Sequence, residues 1–245
     1  MNRCAICDEP IEPGQPFRRH ARRDARGRPL PAAHTHKACR GKPRTVPFIA
    51  QWSGEIVPEP TVVPQLLGGG IRYAGEQPAD RDDRGVLWKR HVDRPGVGRP
   101  LYGKVHTGRQ RRAMAELLCQ VCGGPADQDD RGVLWLLEDD RESSPTWPED
   151  LMTTHPPICL DCIRTARQQC PHMWAGNVAV RVRASEVCAV YGHRYTPSRV
   201  GPIIVENGPM PIESLLLPYV VAAQLVRALY ACTFVSLTDE LAARA

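Results

Sequence analysis

The sequence predicts small zinc-stabilised α+β units strung along the chain, followed by a C-terminal mixed α/β segment. Three observations carry that expectation. Six of the ten cysteines fall in C-x2-C pairs, in a chain that opens without the basic, then apolar, then small-residue pattern of a secretory leader. Such pairs read as thiolate metal ligands rather than disulfides. Twenty-four prolines and 20 glycines among 245 residues also break the chain into short elements, and Phe, Trp and Tyr together reach only 6%. Apolar residues at 42% and charged residues at 24% exclude wholesale disorder and an integral membrane protein. A cytoplasmic protein with no membrane partner is expected.

The first unit spans residues 1–50. It opens with Cys4-Ala5-Ile6-Cys7 and ends at His34-Thr35-His36-Lys37-Ala38-Cys39. Zinc takes a tetrahedral set of thiolate sulfur and imidazole nitrogen, and C-x2-C directs two sulfurs at one ion. Cys4, Cys7, His36 and Cys39 make the expected set, since His36 lies three residues before Cys39; His34 and His20 are the substitutes. Residues 51–69 carry Pro58, Pro60 and Pro64 among Val and Glu, which reads as an extended linker or edge strand.

An internal repeat follows. Pro78-Ala79-Asp80-Arg81-Asp82-Asp83-Arg84-Gly85-Val86-Leu87-Trp88 recurs as Pro125-Ala126-Asp127-Gln128-Asp129-Asp130-Arg131-Gly132-Val133-Leu134-Trp135. Asp-Asp-Arg-Gly has turn chemistry and Val-Leu-Trp strand propensity, so each copy reads as a turn entering a hairpin strand. The acids lack the spacing of a helix-loop-helix calcium site. Residues 70–118 are then either a metal-free copy of the following unit or a stretch sharing only its hairpin. Arg109–Leu118 closes that stretch with a helical pattern that puts Met114, Leu117 and Leu118 on one side.

In the unit at 119–175 the repeat lies between Cys119-Gln120-Val121-Cys122-Gly123-Gly124 and Cys159-Leu160-Asp161-Cys162. Two C-x2-C pairs at this separation form a four-thiolate zinc signal, so Cys119, Cys122, Cys159 and Cys162 complete a second structural Zn2+ site. The second pair should open a helix, where the positive end of the macrodipole favours thiolate. Cys170 and His172 are spare candidates.

In residues 176–245, Val178, Val180 and Val182 alternate with Ala179, Arg181 and Arg183 as a strand should. Further strands are expected at 187–191 and 203–205. A helix is expected from Pro218 to about Cys232, then a last short helix capped by Ser236 with Asp239.

The order of knuckle, hairpin and ligand pair on a helix resembles the treble-clef zinc-finger superfamily. The first unit looks like the LIM type through Cys4, Cys7, His36 and Cys39, and the third like a four-cysteine treble clef through Cys119, Cys122, Cys159 and Cys162. That resemblance implies tandem fingers holding zinc, and no particular activity.

Charge suggests what the scaffold serves. Residues 1–50 hold eleven basic and four acidic side chains, whereas 119–157 hold two basic and nine acidic. Arg18, Arg19, Arg22 and Arg23 cluster in the first unit, along with Arg26 and Arg28, and Arg109, Arg111 and Arg112 lie on the expected helix. Arginine clusters neutralise phosphate, so a nucleic-acid-binding or regulatory protein is the leading expectation. A protein adaptor is the alternative, with Trp88 and Trp135 as candidate anchors. A treble-clef nuclease of the HNH type is disfavoured, because between Cys122 and Cys159 the only His is His155 and Asn is absent; the first unit, with His20, His34 and His36, is the one place left for metal-assisted hydrolysis. No catalytic residue and no small-molecule substrate are expected.

Overall fold

The computed structural model describes residues 11–23, 29–36, 45–66 and 69–242. Near the N-terminus, β1 (Phe17–Arg23) and β2 (Pro29–His36) form an antiparallel ribbon with Phe17 opposite His36 and Arg23 opposite Pro29. Two further two-stranded pairs precede or flank the main sheet. β3 (Ala50–Trp52) pairs with β7 (Pro100–Val105), and β4 (Val62–Pro64) with β5 (Ile71–Tyr73). Within the Pro-rich stretch, expected as an extended linker or an edge strand, Val62–Pro64 form the short strand β4.

Seven strands build the main sheet: β6 (Leu87–Trp88), β8 (Gln128–Asp129), β9 (Gly132–Glu138), β10 (Leu151–Thr153), β11 (Asn177–Thr196), β12 (Ile203–Pro211) and β13 (Val220–Val235). The central strand is β11. Along one edge it runs antiparallel to β13 from Ala179 opposite Val235 to Arg194 opposite Val220. Its other edge is shared, first by β9 and then by β12. Beyond β13 lie β10, antiparallel, and β6, parallel. Among the described residues there are three α-helices: α1 (Thr107–Glu116), α2 (Leu160–Gln169) and α3 (Leu237–Ala242). Among the described residues no helix is long and apolar enough to cross a membrane.

This architecture corrects the expected fold class. The protein is not a series of small zinc-stabilised α+β units with tandem treble-clef-like fingers; it is predominantly β, organised on one seven-stranded sheet. The C-terminal segment is the reason. The helix expected from Pro218 to Cys232 is instead β13, with Pro218 confined to the 3-10 turn Leu217–Tyr219 that precedes it. Ala222, Leu225, Val226 and Leu229 fit a helical stripe, but a strand buried on both faces presents the same run of apolar residues. The full edge of β11 decides between the two, because it pairs nearly the whole length of β13. Pairing proceeds through irregularities at Val187/Ala189 and Tyr191/Gly192. Gly192 is required there, since a Cβ would sit 2.2 Å from the Val221 carbonyl oxygen.

Both sheet faces carry core. On one, Val180, Val182, Trp135 and Leu229 pack together; on the other, Ala179, Leu134 and Leu136 meet Ile158, Leu160 and Ile163 beneath the cysteine knuckle. The alternation read at 178–183 is a strand, but Arg181 points inward and is only 1% exposed. Its Nη2 meets Asp127 at 2.7 Å and Glu240 of α3, while Nη1 donates to the Gly132 carbonyl. Glu240 also accepts from Arg131 at 2.7 Å, so the second repeat copy, β11 and α3 are joined by buried charge. The Asp239 N–H donates to Ser236 Oγ, as expected of the final cap.

The repeat copies share an Asx-type turn: Asp82 accepts from the Arg84 N–H and Asp129 from the Arg131 N–H. They enter the sheet differently, through a parallel edge on β13 and an antiparallel one on β11. Trp88 and Trp135 are both buried, so neither is an exposed anchor.

Candidate metal centre

The Sγ atoms of Cys119, Cys122, Cys159 and Cys162 all lie within 4.8 Å of one another. A tetrahedral four-sulfur site with bonds of ~2.3 Å has sulfur–sulfur edges of ~3.8 Å. Cys122 and Cys159 stand at 3.8 Å, and none of the seven described cysteines is in a disulfide. The group can hold a metal ion.

Local folding converges these sulfurs. The Cys119 N–H donates to the Gly124 carbonyl at 2.7 Å and the Gly123 N–H to the Cys119 carbonyl at 2.8 Å, which closes the knuckle. Gly123 has φ +76° and supports the Phe48 ring, where a Cβ would approach to 2.7 Å. Phe48 and Ile49 donate their N–H groups to the Val121 and Gln120 carbonyls, so residues 48–49 brace the knuckle from outside. Opposite, Cys159 occupies the N-cap of α2 and Cys162 its first turn. Here the helix dipole favours negative sulfur. Asp127, Leu134 and Ile158 exchange backbone hydrogen bonds, tying the second repeat copy to the chain that delivers Cys159.

Burial is graded across the four: Cys119 is fully enclosed, Cys159 and Cys162 are half-buried, and Cys122 is exposed. Burial opposes ionisation of Cys122, yet the Gly124 N–H and the neighbouring thiols outweigh it and hold Cys122 below the usual thiol range. Burial pushes Cys159 up to about 11 and Cys162 higher still. Four thiols this close cannot all become thiolates without a cation among them, and a divalent ion reverses that penalty. Four sulfurs also complete a tetrahedron with no position left for water or substrate, the arrangement of a structural centre.

Cys170 and His172 stand outside the four-sulfur group. Of the first expected site, Cys4, Cys7 and Cys39 lie outside the described residues, and His36 is described only as the last residue of β2.

The arginines separate sharply. Arg109 is not a surface group: it is 5% exposed, and all five of its N–H donors are engaged. Nε donates to the Phe48 carbonyl at 2.6 Å, Nη1 to Glu55 at 2.6 Å and to Asp93, and Nη2 to the Ala50 carbonyl at 2.7 Å and to Glu55 at 2.8 Å. This position corrects the expectation that it meets phosphate. Arg111 lies 3.8 Å over the Trp88 ring, and Arg112 pairs with Glu116 on an exposed helix face. Arg18, Arg19, Arg22 and Arg23 fall on β1, opposite a strand without acidic residues; Arg19 is exposed. Arg26 and Arg28 lie outside the described residues.

Sequence reasoning missed one cluster. Glu55, Asp93 and His106 bring a carboxylate pair and an imidazole within 4.8 Å of one another, but the Arg109 guanidinium already supplies their cation. Burial holds His106 below the usual imidazole range, and it caps α1 by accepting the Arg109 N–H at Nδ1 while Nε2 faces the Val92 carbonyl at 3.1 Å. No local pattern signals this cluster, because its members are scattered from position 55 to position 106. No family model, no curated protein and no solved structure matches the chain.

Proposed function

We propose that the protein is a zinc-stabilised binding protein, in which Cys119, Cys122, Cys159 and Cys162 hold one structural Zn2+ and the β1–β2 ribbon contacts nucleic-acid phosphate. The observation that carries the metal half is the four-sulfur set at tetrahedral spacing. Zinc is the choice because thiolate-only tetrahedra suit it, and the seven described cysteines, all free, fit a reducing, cytoplasmic setting. The same geometry makes the ion a clamp between knuckle and helix rather than a catalyst. A second zinc at Cys4, Cys7, His36 and Cys39 belongs to the same proposal on spacing alone.

The nucleic-acid half rests on the ribbon. Four arginines occupy seven consecutive positions of β1, and a two-stranded antiparallel ribbon is one of the elements that fits the DNA major groove. With Arg109 internal, phosphate contact falls to Arg18, Arg19, Arg22 and Arg23. The test is binding of a labelled mixed-sequence duplex at two salt concentrations by the full chain and by a variant with these four arginines changed to Gln. Salt-sensitive binding that the variant loses supports the reading; salt-insensitive binding, or equal binding by the variant, overturns it. The acidic stretch 119–157 favours a second reading, a protein adaptor, and a duplex-silent chain that captures a basic protein partner would establish it.

A further inference from the structure

A cleft of about 870 Å³ opens beside the knuckle, between β9, β10 and the end of α2. Its size is that of a small-molecule site, typically about 300–1,000 Å³. The walls are largely apolar, and Leu136, Leu137, Trp147, Met152 and Met173 are among the residues that line them. The charge is one-sided. Glu138, Asp139 and Asp140 line it, and no lysine or arginine does so among the described residues, in a chain that carries 32 of them. Asp139 is paired with Arg141 at 2.8 Å, which lies outside the lining, whereas the carboxylates of Glu138 and Asp140 meet no basic group among the described residues.

We propose that this cleft binds a small organic cation with an apolar body. Apolar walls favour the body through burial. The unpaired carboxylates of Glu138 and Asp140 favour a positive head by Coulomb attraction, and the aromatic side chain of Trp147 in the lining offers it a π system. The same carboxylates repel an anion of identical shape, so the site selects by charge as well as by fit. This proposal does not depend on the metal or the ribbon. It assigns the chain a ligand where the sequence offers none, because the lining is gathered from β9, β10, α2 and β7.

The test uses the full chain and a matched pair of probes, 4-phenylbutylamine and 4-phenylbutyrate, titrated by calorimetry. The amine should bind saturably and the carboxylate at least about tenfold more weakly, a gap that the double variant Glu138→Gln with Asp140→Asn should close. Met152 lines the cleft and is 54% exposed, so Met152→Arg places a cation in it without disturbing the core and should abolish amine binding. Binding of the carboxylate as tightly as the amine overturns the proposal. So does absence of saturable amine binding at millimolar concentration, or amine binding that survives Met152→Arg in a variant that melts like the parent.

Discussion

Replacing Arg109 by Met tests whether its charge serves the interior or a ligand. The substitution removes five hydrogen bonds and leaves the fully buried Glu55 carboxylate beside Asp93 and His106, with the Trp52 and Arg94 N–H groups, at 2.7 and 2.9 Å, as its remaining donors. Breaking a buried pair by deleting one partner costs about 3–5 kcal/mol. In a domain of this size that lowers the melting temperature by roughly 6–20 °C. Acid provides an independent check. Burial alone would raise the Glu55 pKa, but the Arg109 fork and the two N–H groups reverse this and lower it from 4.5 to about 2. A depressed folded-state pKa stabilises above the unfolded value and is lost as pH falls through the folded one. Glu55 therefore contributes about 3 kcal/mol at neutral pH that disappears between pH 4.5 and 2. The melting temperature should fall more steeply across that range for the parent than for Glu55→Gln. An Arg109→Met protein that melts like the parent but loses duplex binding would refute the internal assignment.

Further outcomes follow from close contacts. Gly123→Ala must place a Cβ 2.7 Å from the Phe48 ring at positive φ, and should cost about 1–3 kcal/mol and speed metal release to a chelator. Gly124→Ala meets nothing nearer than Cys122 Sγ at 3.6 Å and should behave like the parent. Glu240→Ala strips one carboxylate from buried Arg181, whose Nε already lacks a partner; about 1–3 kcal/mol should be lost, with faster amide exchange around Gly132 and in α3. Unchanged exchange would show that α3 docks without this contact.

The cysteine site was legible because its geometry is local: C-x2-C makes a knuckle wherever the backbone can turn, and Gly123 supplies that turn. A helix near 109–118 and the turns of the repeat were legible for the same reason, although α1 runs Thr107–Glu116 and leaves Leu117, in a left-handed cap, and Leu118 beyond its end. What escaped was set by partners distant in sequence. Residues 220–235 form a strand because β11 offers an edge, and nothing within them distinguishes a two-face-buried strand from a packed helix. Arg109 and Arg181 read as surface charge until Glu55, Asp93, Asp127 and Glu240 come to meet them, the nearest of these 16 residues away in sequence. The cleft is likewise invisible in sequence, being the gap left when β9, β10 and α2 are brought together.

Metal content bears most directly on the central claim. Zinc per chain should be measured by elemental analysis on the untagged parent and on the double variant Cys119→Ser with Cys122→Ser, alongside limited proteolysis. The four-sulfur site predicts that the variant carries about one zinc fewer and that residues 119–175 become protease-sensitive, since the binding energy of such a site is largely folding energy. Equal zinc in the two proteins, or a variant as protease-resistant as the parent, would contradict it.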